Sequence, residues 1–200
     1  MGLMRGDFEL DILKELGNIG AGHAATSLSQ ILGRTIQITV PEIKVIEIPR
    51  ISTEIDTERI VAGVVTGLND LELGESGYLY IMIPRQSYKK IASIMLGNDE
   101  NPEMMESAIM ELGNILSSAF CNAIAELLEI MLMPTPPSFA MDYSLAVIDA
   151  IVSQLSKKSD YIIIFETELR DEEDSIEIII LLIPNEVFMK YILKLTDMVE

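Results

Sequence analysis

The chain carries two closely similar heptapeptides. Residues 13–19 read Leu-Lys-Glu-Leu-Gly-Asn-Ile, and residues 109–115, which begin 96 positions later, read Ile-Met-Glu-Leu-Gly-Asn-Ile. A wider set of four residues recurs with the same spacing. The first copy is Asp11, Glu15, Asn18 and Pro41, and the second copy is Ser107, Glu111, Asn114 and Pro137. At ordinary residue frequencies a second match in the same register is far rarer than one chance match. The sequence therefore predicts two related halves.

Both halves show the same order of predicted elements. The first half contains a predicted long helix over 7–32, β-rich runs at 35–40, 42–48, 60–67 and 77–83, and a shorter helix over 85–96. The second half contains a predicted long helix near 103–131 that prolines 134, 136 and 137 end, strands at 138–148, 161–169 and 176–183, and a helix over 185–197. These elements predict an α+β fold with an internal pseudo-twofold repeat. We expect a continuous antiparallel sheet of about six strands, two long motif helices and two shorter helices.

The boundary between the halves falls at residues 98–102, which are polar and turn-forming. This segment is too short for a flexible linker, so we expect a single domain over 1–200 built from repeats at about 7–98 and 103–200. The acidic run at 171–174 is predicted to be a solvated hairpin turn, because the spacing and glycine of an EF-hand calcium loop are absent.

Composition excludes several functional classes. The 200 residues are 49% hydrophobic, enough to bury a substantial core, and the formal net charge is -18. This charge repels nucleic acids and anionic membranes, so we expect a charged partner to present a basic surface. The longest apolar run, Ile178–Ile183, is much shorter than the ~20 residues of a membrane span. We expect no membrane insertion, no signal peptide and a cytoplasmic location.

Two rare residues limit the chemistry further. The single cysteine, Cys121, cannot form an internal disulfide, and its place in a helical pattern favours core packing. His23 is the only histidine, so histidine-based metal sites and Ser-His-Asp triads lack their components. We therefore expect no metal site and no cofactor in this chain.

The repeated polar residues lie along one side of each long helix. At ~100° per residue, positions 11, 15 and 18 fall within a stripe of ~60°, opposite the apolar positions. The second helix has the same stripe at positions 107, 111 and 114. We therefore predict that both motifs face outward, where each offers one carboxylate and one carboxamide.

An ordinary solvated helix face explains one such stripe well. Two copies that keep the same poor helix formers, Asn and Gly, at the same places favour a function instead. A carboxamide is not a general base, but it can hold a water in line with a phosphorus atom, as the positioning Gln does in GTPases. The pair therefore suits hydrolysis of an acyl phosphate whose Mg2+ and lysine belong to a phosphorylated partner.

At these residues the sequence resembles the CheC family of chemotaxis phosphatases, within the CheC, CheX and FliY group. The resemblance implies that the chain removes the phosphoryl group from the aspartate of the response regulator CheY, which carries Mg2+. It assigns Glu15 and Glu111 to the regulator's lysine, and Asn18 and Asn114 to orientation of the attacking water. Asp11 and Ser107 would support these sites, while Pro41 and Pro137 would shape the start of the strand behind each helix.

Two intact motifs in one chain lead us to expect a monomer whose internal repeat replaces a second chain. The resemblance also names the deamidase CheD as a partner, and the helix over 187–195 offers a surface for it. Phe188, Met189, Ile192 and Leu195 of that helix suit core packing better. A non-catalytic docking module for phosphorylated CheY or for CheD stays open as the alternative function. A small-molecule hydrolase is disfavoured, since an open helix face is not a pocket.

Overall fold

The computed structural model describes residues 7–39, 42–54, 59–97, 101–155, 161–173 and 176–197. Within these ranges each half contains the same sequence of elements. The first half comprises α1 (Asp7–Leu32), β1 (Ile36–Ile38), β2 (Glu42–Glu47), a 3-10 turn (Ile48–Arg50) with α2 (Ile51–Glu54), β3 (Ile60–Asp70), β4 (Gly74–Pro84) and α3 (Arg85–Leu96). The second half comprises α4 (Pro102–Leu128), β5 (Leu132–Pro134), β6 (Ser138–Tyr143), α5 (Ser144–Leu155), β7 (Tyr161–Asp171), β8 (Glu177–Pro184) and α6 (Glu186–Asp197).

The described strands form one antiparallel sheet through both halves. Its central path is β1-β7-β8-β4-β3-β5, with β2 also paired to β7 and β6 also paired to β3. The eight strands therefore fill six positions, which confirms the predicted continuous sheet of about six strands. Each half supplies the edge strands that complete the hairpin of the other half.

The register of the sheet reveals the pseudo-twofold axis. Strands β1 and β2 are equivalent to β5 and β6, with an offset of 96 positions. Strand β3 is equivalent to β7, with an offset of 101 positions. With the latter offset, the equivalent of Tyr80 in β4 is Leu181 in β8, and these two residues pair directly with each other. The axis therefore passes through the sheet between them, perpendicular to the strands, and it relates α1 to α4 in antiparallel directions.

Helices cover both faces of the sheet. The larger core lies between one face and the helices α1, α3, α4 and α6, and it contains Leu28, Ile91, Ile109 and Phe188. The smaller core lies on the other face, where α2 and α5 contribute apolar side chains such as Ile51 and Ile148. The long apolar run of β8 follows from this arrangement: Ile178, Ile180 and Leu182 enter the larger core, while Ile179, Leu181 and Ile183 enter the smaller one.

Glycines let the long helices approach their neighbours closely. A Cβ added to Gly113 of α4 would lie 2.5 Å from Cγ1 of Val64 in β3. A Cβ added to Gly20 of α1 would lie 2.6 Å from Cε2 of Phe120 in α4. Both distances are shorter than van der Waals contact, so α4 lies against the sheet and against α1 at a separation that larger residues would not allow.

The predicted end of the second long helix was wrong. The helix was predicted to extend to residue 131 and to end because of the prolines that follow. In the structure α4 ends at Leu128. Glu129 adopts a left-handed conformation with φ 54°, as Gly33 does with φ 63° after α1. Left-handed glycine is a common helix stop, but glutamate rarely adopts this conformation, so the sequence did not signal it. Strand β5 then begins at Leu132, directly after the predicted helix, in a stretch for which no strand was predicted.

The predicted strand over 138–148 was wrong beyond Tyr143. Pairing of β6 with β3 ends at the pair Ile60 and Tyr143, and the N–H of Ser144 donates to the carbonyl of Arg59 at 2.9 Å. Helix α5 begins there and buries Val147 and Ile148 against the sheet. With α2 it also adds two helices to the four that were predicted.

The acidic turn between β7 and β8 is not fully solvated. Asp171 is buried, and its Oδ1 accepts the N–H of Ile176 at 2.8 Å. Its Oδ2 accepts from Nη1 of Arg34 at 2.7 Å, which ties the end of α1 to this turn. The predicted solvated turn was therefore wrong for Asp171, because a tertiary ion pair and a backbone cap bury it. Residue 174 lies outside the described residues.

In the described part of the chain, one helix, α4, is long and apolar enough to span a bilayer by length and composition. However, 56% of the relevant window is buried inside the fold. A core helix passes the same test, and the contacts of α4 with the sheet and with α1 account for its composition.

The helix contacts generate a stability prediction. Gly113→Ala should lower the free energy of unfolding by about 1–3 kcal/mol, because the added methyl group must displace Val64 in a filled core. Gly22→Ala is the matched control, since a Cβ there meets nothing within 4 Å. That change should raise stability by up to about 1 kcal/mol through helix propensity. Denaturant titration of both variants measures the difference, and equal effects of the two changes would contradict the close approach.

Candidate functional site

Helix α4 positions the second motif. Its N-terminus is capped by Asn101, whose Oδ1 accepts the N–H groups of Glu103 and Met104 at 2.9 and 3.3 Å. Ser107 and Glu111 are exposed and Asn114 is half-buried on the outward side of the helix. The opposite side is buried in the larger core through Ile109, Leu112, Leu116 and Phe120.

Helix α1 presents the first motif in the same way. Glu15 and Asn18 are exposed, while Leu16 and Gly17 between them are buried. Asp11 lies in α1, but its side chain is outside the described part of the structure, and Pro41 lies outside the described residues altogether. The structure therefore presents one Glu and one Asn from each long helix.

The buried residues inside each motif set its geometry. Glu and Asn are three positions apart, which places their Cβ atoms on one helix face at ~5–6 Å. Between them stand a buried leucine and a buried glycine, in the second copy Leu112 and Gly113. Because Gly113 lies directly over Val64, the backbone beneath Glu111 and Asn114 is supported by the sheet. Each motif is thus a polar pair on the outward, convex face of a helix, and in the second copy the sheet supports the helix beneath the pair.

Pro137 belongs to an irregularity at the sheet edge. Pro134 pairs with Leu68 and Ser138 pairs with Val65, so three residues, 135–137, oppose the two residues Thr66 and Gly67. The N–H of Thr135 donates to the carbonyl of Gly67 at 2.8 Å, and the N–H of Gly67 donates to Oγ1 of Thr135 at 2.9 Å. Pro137 therefore lies in a β-bulge immediately before β6, where proline's missing N–H is tolerated.

Thr135, which was not among the residues predicted from the sequence, fixes this bulge. In the first half the N–H of Thr39 donates to the carbonyl of Glu168 at 3.0 Å, and the N–H of Glu168 donates to Oγ1 of Thr39 at 2.9 Å. These bonds repeat those of Thr135. The sequence does contain this repeat: a threonine precedes each motif proline by two positions, at 39–41 and at 135–137.

A buried hydroxyl pair joins the second motif helix to the sheet. The hydroxyl oxygens of Ser117 in α4 and Thr66 in β3 lie 3.2 Å apart, and both side chains are fully buried. Position 117 corresponds to Ala21 in the first half, which is also buried. The equivalent of Thr66 is Thr167, whose Oγ1 donates instead to the carbonyl of Thr39 at 3.1 Å. The two motif helices are therefore anchored differently.

A cleft of about 490 Å³ lies away from the Glu and Asn residues of both motifs. Its wall includes Val65, Tyr78 and Val147, which belong to the smaller core on the face of the sheet opposite α1 and α4. The Tyr78 hydroxyl donates to Oε1 of Glu75 at 3.2 Å, and burial raises the Tyr78 pKa. The Glu and Asn pairs consequently lie on an open surface and not in this cleft.

Basic side chains are scarce and many are paired. The chain has 14 Lys and Arg residues against 32 Asp and Glu residues. Among the described residues, salt bridges engage Arg34, Lys44, Arg59, Arg170 and Lys190. The unpaired excess is negative, so the molecular surface complements a basic partner.

Cys121 lies in the core of α4 and is fully buried, as predicted. Burial raises the pKa of its thiol to about 12. Its thiolate, which is the nucleophilic form, is therefore almost absent at neutral pH. The described residues also bring together no group of three or more His, Cys, Asp or Glu side chains that could hold a metal ion.

The C-terminal helix α6 places Phe188, Met189 and Ile192 in the larger core. Val187 is 50% exposed on the same helix. The side chain of Leu195 lies outside the described part of the structure. The three buried side chains therefore pack in the core, as was predicted in preference to a docking surface.

The burial of Cys121 generates a labelling prediction. At pH 8 the folded chain should react with a thiol reagent at least about 100-fold more slowly than the denatured chain, because the protonated thiol is both inaccessible and unreactive. Between pH 8 and pH 9 the rate of the folded chain should rise by about tenfold, because the thiolate fraction of a thiol far below its pKa increases tenfold per pH unit, yet it should stay far below the rate of the denatured chain. Asn122→Cys in a Cys121→Ala background is the matched control, because position 122 is exposed. Rapid labelling of folded Cys121 would contradict its placement.

Comparison with known proteins identifies relatives of both halves. The model of the CheC-like family matches residues 8–45 and 104–141, which include the two motifs. CheY-P phosphatase CheC of Bacillus subtilis (strain 168) is 28% identical over 177 residues, covering 85% of this chain and 84% of that protein.

Two solved structures show the same fold. The crystal structure of Thermotoga maritima FliY has a TM-score of 0.71 and 24% identity, covering 98% of this chain and 100% of that chain. The crystal structure of the complex of CheX, CheY, BeF3 and Mg2+ from Borrelia burgdorferi has a TM-score of 0.58 and 17% identity, covering 84% of this chain and 97% of that chain.

Proposed function

We propose that this chain, which belongs to the CheC-like family, hydrolyses the phospho-aspartate of a CheY response regulator. The observation that carries the proposal is the outward-facing pair of Glu and Asn on each of two equivalent helices, α1 and α4. The name of the Bacillus relative, CheY-P phosphatase CheC, supports this activity. We propose both motifs as sites.

The carboxamides supply the positioning that hydrolysis needs. Transfer of a phosphoryl group to water requires little covalent chemistry from the protein, but it requires the water to be in line with the phosphorus. The carbonyl of Asn18 or Asn114 would accept a hydrogen bond from that water, while its NH2 group would donate to a phosphoryl oxygen. An exposed or half-exposed side chain on a convex helix can enter a partner's active site, which a buried one cannot.

The carboxylates supply recognition. Glu15 and Glu111 would each pair with a lysine of the regulator, one turn of helix away from the Asn that enters beside the phosphoryl group. An exposed carboxylate contributes little by itself, but the same ion pair contributes more when the interface excludes water. We assign the Glu residues to binding and the Asn residues to the hydrolytic step.

The metal of the reaction would belong to the partner. Mg2+ neutralises the charge that develops on the phosphoryl oxygens during transfer. The complex of CheX with CheY and BeF3 contains Mg2+. We therefore propose that Mg2+ is bound by phosphorylated CheY and that this chain contributes only its amides and carboxylates.

The phosphatase proposal predicts a specific loss of activity. Asn18→Ala combined with Asn114→Ala should reduce the acceleration of CheY dephosphorylation by about 100-fold or more, as removal of a preorganised positioning group does in other enzymes. The fold should persist, because alanine is a better helix former than asparagine at these outward positions. Decay of phosphorylated CheY with Mg2+ present measures the rate, and circular dichroism checks the fold.

Gln30→Ala is the matched control for this experiment. Gln30 is an exposed carboxamide on the same helix as Asn18, but it lies twelve positions beyond it. The control should retain the wild-type rate. Wild-type rates in the double-Asn variant would exclude the proposed role of the amides.

The carboxylates generate a separate binding prediction. Glu15→Ala combined with Glu111→Ala should raise the Kd for phosphorylated CheY by about 10-fold or more, equivalent to ~1.4 kcal/mol, because the regulator's lysine loses its partner. Glu126→Ala is the control, since Glu126 is an exposed carboxylate of α4 outside the motif. Fluorescence titration measures both, and an unchanged Kd in the double-Glu variant would remove the Glu residues from recognition.

The alternative is a docking module that binds phosphorylated CheY, or CheD, without turnover. Binding of phosphorylated CheY with no acceleration of its decay would favour this alternative. Hydrolysis of small acyl phosphates is less compatible with the site, since the motifs occupy convex helix faces and the cleft lies on the other side of the sheet.

A further inference from the structure

We propose that the two motif faces compete for a single regulator, so that a CheY molecule on one face prevents a second from occupying the other. This inference rests on the proposed function and adds its stoichiometry. The competition follows from how closely the motifs approach each other across the pseudo-twofold axis.

The contact between the long helices locates that axis. Gly20 of α1 packs against the ring of Phe120 in α4. The repeat relates Gly20 to Leu116 and Phe120 to Ala24, and these two residues are also buried in the larger core. The antiparallel helices therefore cross near Gly22 and Ser118, which are themselves equivalent positions.

The distance between the motifs follows from helix geometry. Asn18 precedes Gly22 by four residues, or ~6 Å at 1.5 Å per residue, and Asn114 precedes Ser118 by the same distance in the opposite direction. With helix axes ~8–10 Å apart, the backbones of the two Asn residues are separated by ~15 Å. The corresponding separation for Glu15 and Glu111 is ~23 Å.

A regulator needs more space than this separation allows. A specific interface buries ~800 Å² on each partner, which corresponds to a disc of ~16 Å radius. Two such discs require centres ~32 Å apart, more than either motif separation. A folded partner of ~100 residues also has a radius of gyration of ~13 Å and therefore a diameter of ~34 Å. Both estimates indicate overlap.

The surface between the motifs is open enough for a regulator bound at either motif to contact it. Space above Gly22 is open, since a Cβ there would meet nothing within 4 Å. Ser118, its equivalent, is half-buried and small. The region that both footprints need is therefore unobstructed, and a regulator at either motif would cover it.

Competition has a kinetic signature that independent sites lack. The two values of kcat/KM add in either case, because both faces are empty at low substrate, so the difference lies in kcat. Under competition each chain holds one regulator at saturation, so the wild-type kcat lies between the values of the two single sites. Independent sites would give a wild-type kcat equal to their sum.

The test uses one variant per site that abolishes binding as well as chemistry. The first is Glu15→Arg with Asn18→Ala, and the second is Glu111→Arg with Asn114→Ala, since arginine would repel the regulator's lysine. Steady-state dephosphorylation gives kcat and kcat/KM for the wild type and both variants. Native mass spectrometry with CheY activated by beryllofluoride and Mg2+ gives the number of regulators per chain.

We expect one regulator per wild-type chain at saturation and one per chain in each single-site variant. We also expect a wild-type kcat between the two single-site values. Two regulators per wild-type chain, or a wild-type kcat equal to the sum, would overturn competition while leaving the phosphatase function intact. A single-site variant that binds no regulator would overturn it as well. Absence of both binding and accelerated decay in the wild type would instead refute the proposed function.

Discussion

The exchange of edge strands between the two halves is the constraint on which the rest of the structure depends. Strand β2 completes the hairpin of the second half by pairing with β7, and β6 completes the hairpin of the first half by pairing with β3. The two hairpins meet at β4 and β8. Neither half can satisfy its own sheet edge, so the halves fold as one sheet, and α1 and α4 share one face of it. Because the helices are antiparallel, one surface carries both motifs in opposite orientations.

Close contact between helix and sheet connects this architecture to function. Each motif combines residues that pack in the core with residues that face solvent. In the second copy Leu112 and Gly113 face inward, while Glu111 and Asn114 face outward. The glycine permits contact with Val64, and that contact supports the helix beneath the polar pair. A loop with the same residues would lose conformational entropy on binding, whereas a supported helix presents the pair already in place.

The internal repeat made much of this predictable from sequence. The bounds predicted for α1, 7–32, match Asp7–Leu32 because apolar periodicity is strong there and Gly33 provides a left-handed stop. The equivalent stop at Glu129 was missed, since glutamate in that conformation depends on its surroundings rather than on its own propensity. Helix α5 was mistaken for strand because its β-branched residues, such as Val147 and Ile148, satisfy either pattern locally. The bonds of Thr135 and the hydroxyl pair of Thr66 and Ser117 join segments distant in sequence, which residue patterns alone do not reveal.

The central proposal is that Asn18 and Asn114 place a water for attack on phosphorus. Its most direct test is the isotopic content of the phosphate released from phosphorylated CheY in H2(18)O, measured together with the rate of release. We expect this chain to accelerate release and each phosphate to acquire one oxygen-18 atom. Failure to accelerate, or accelerated release with the label in the aspartate carboxylate instead of the phosphate, would contradict it.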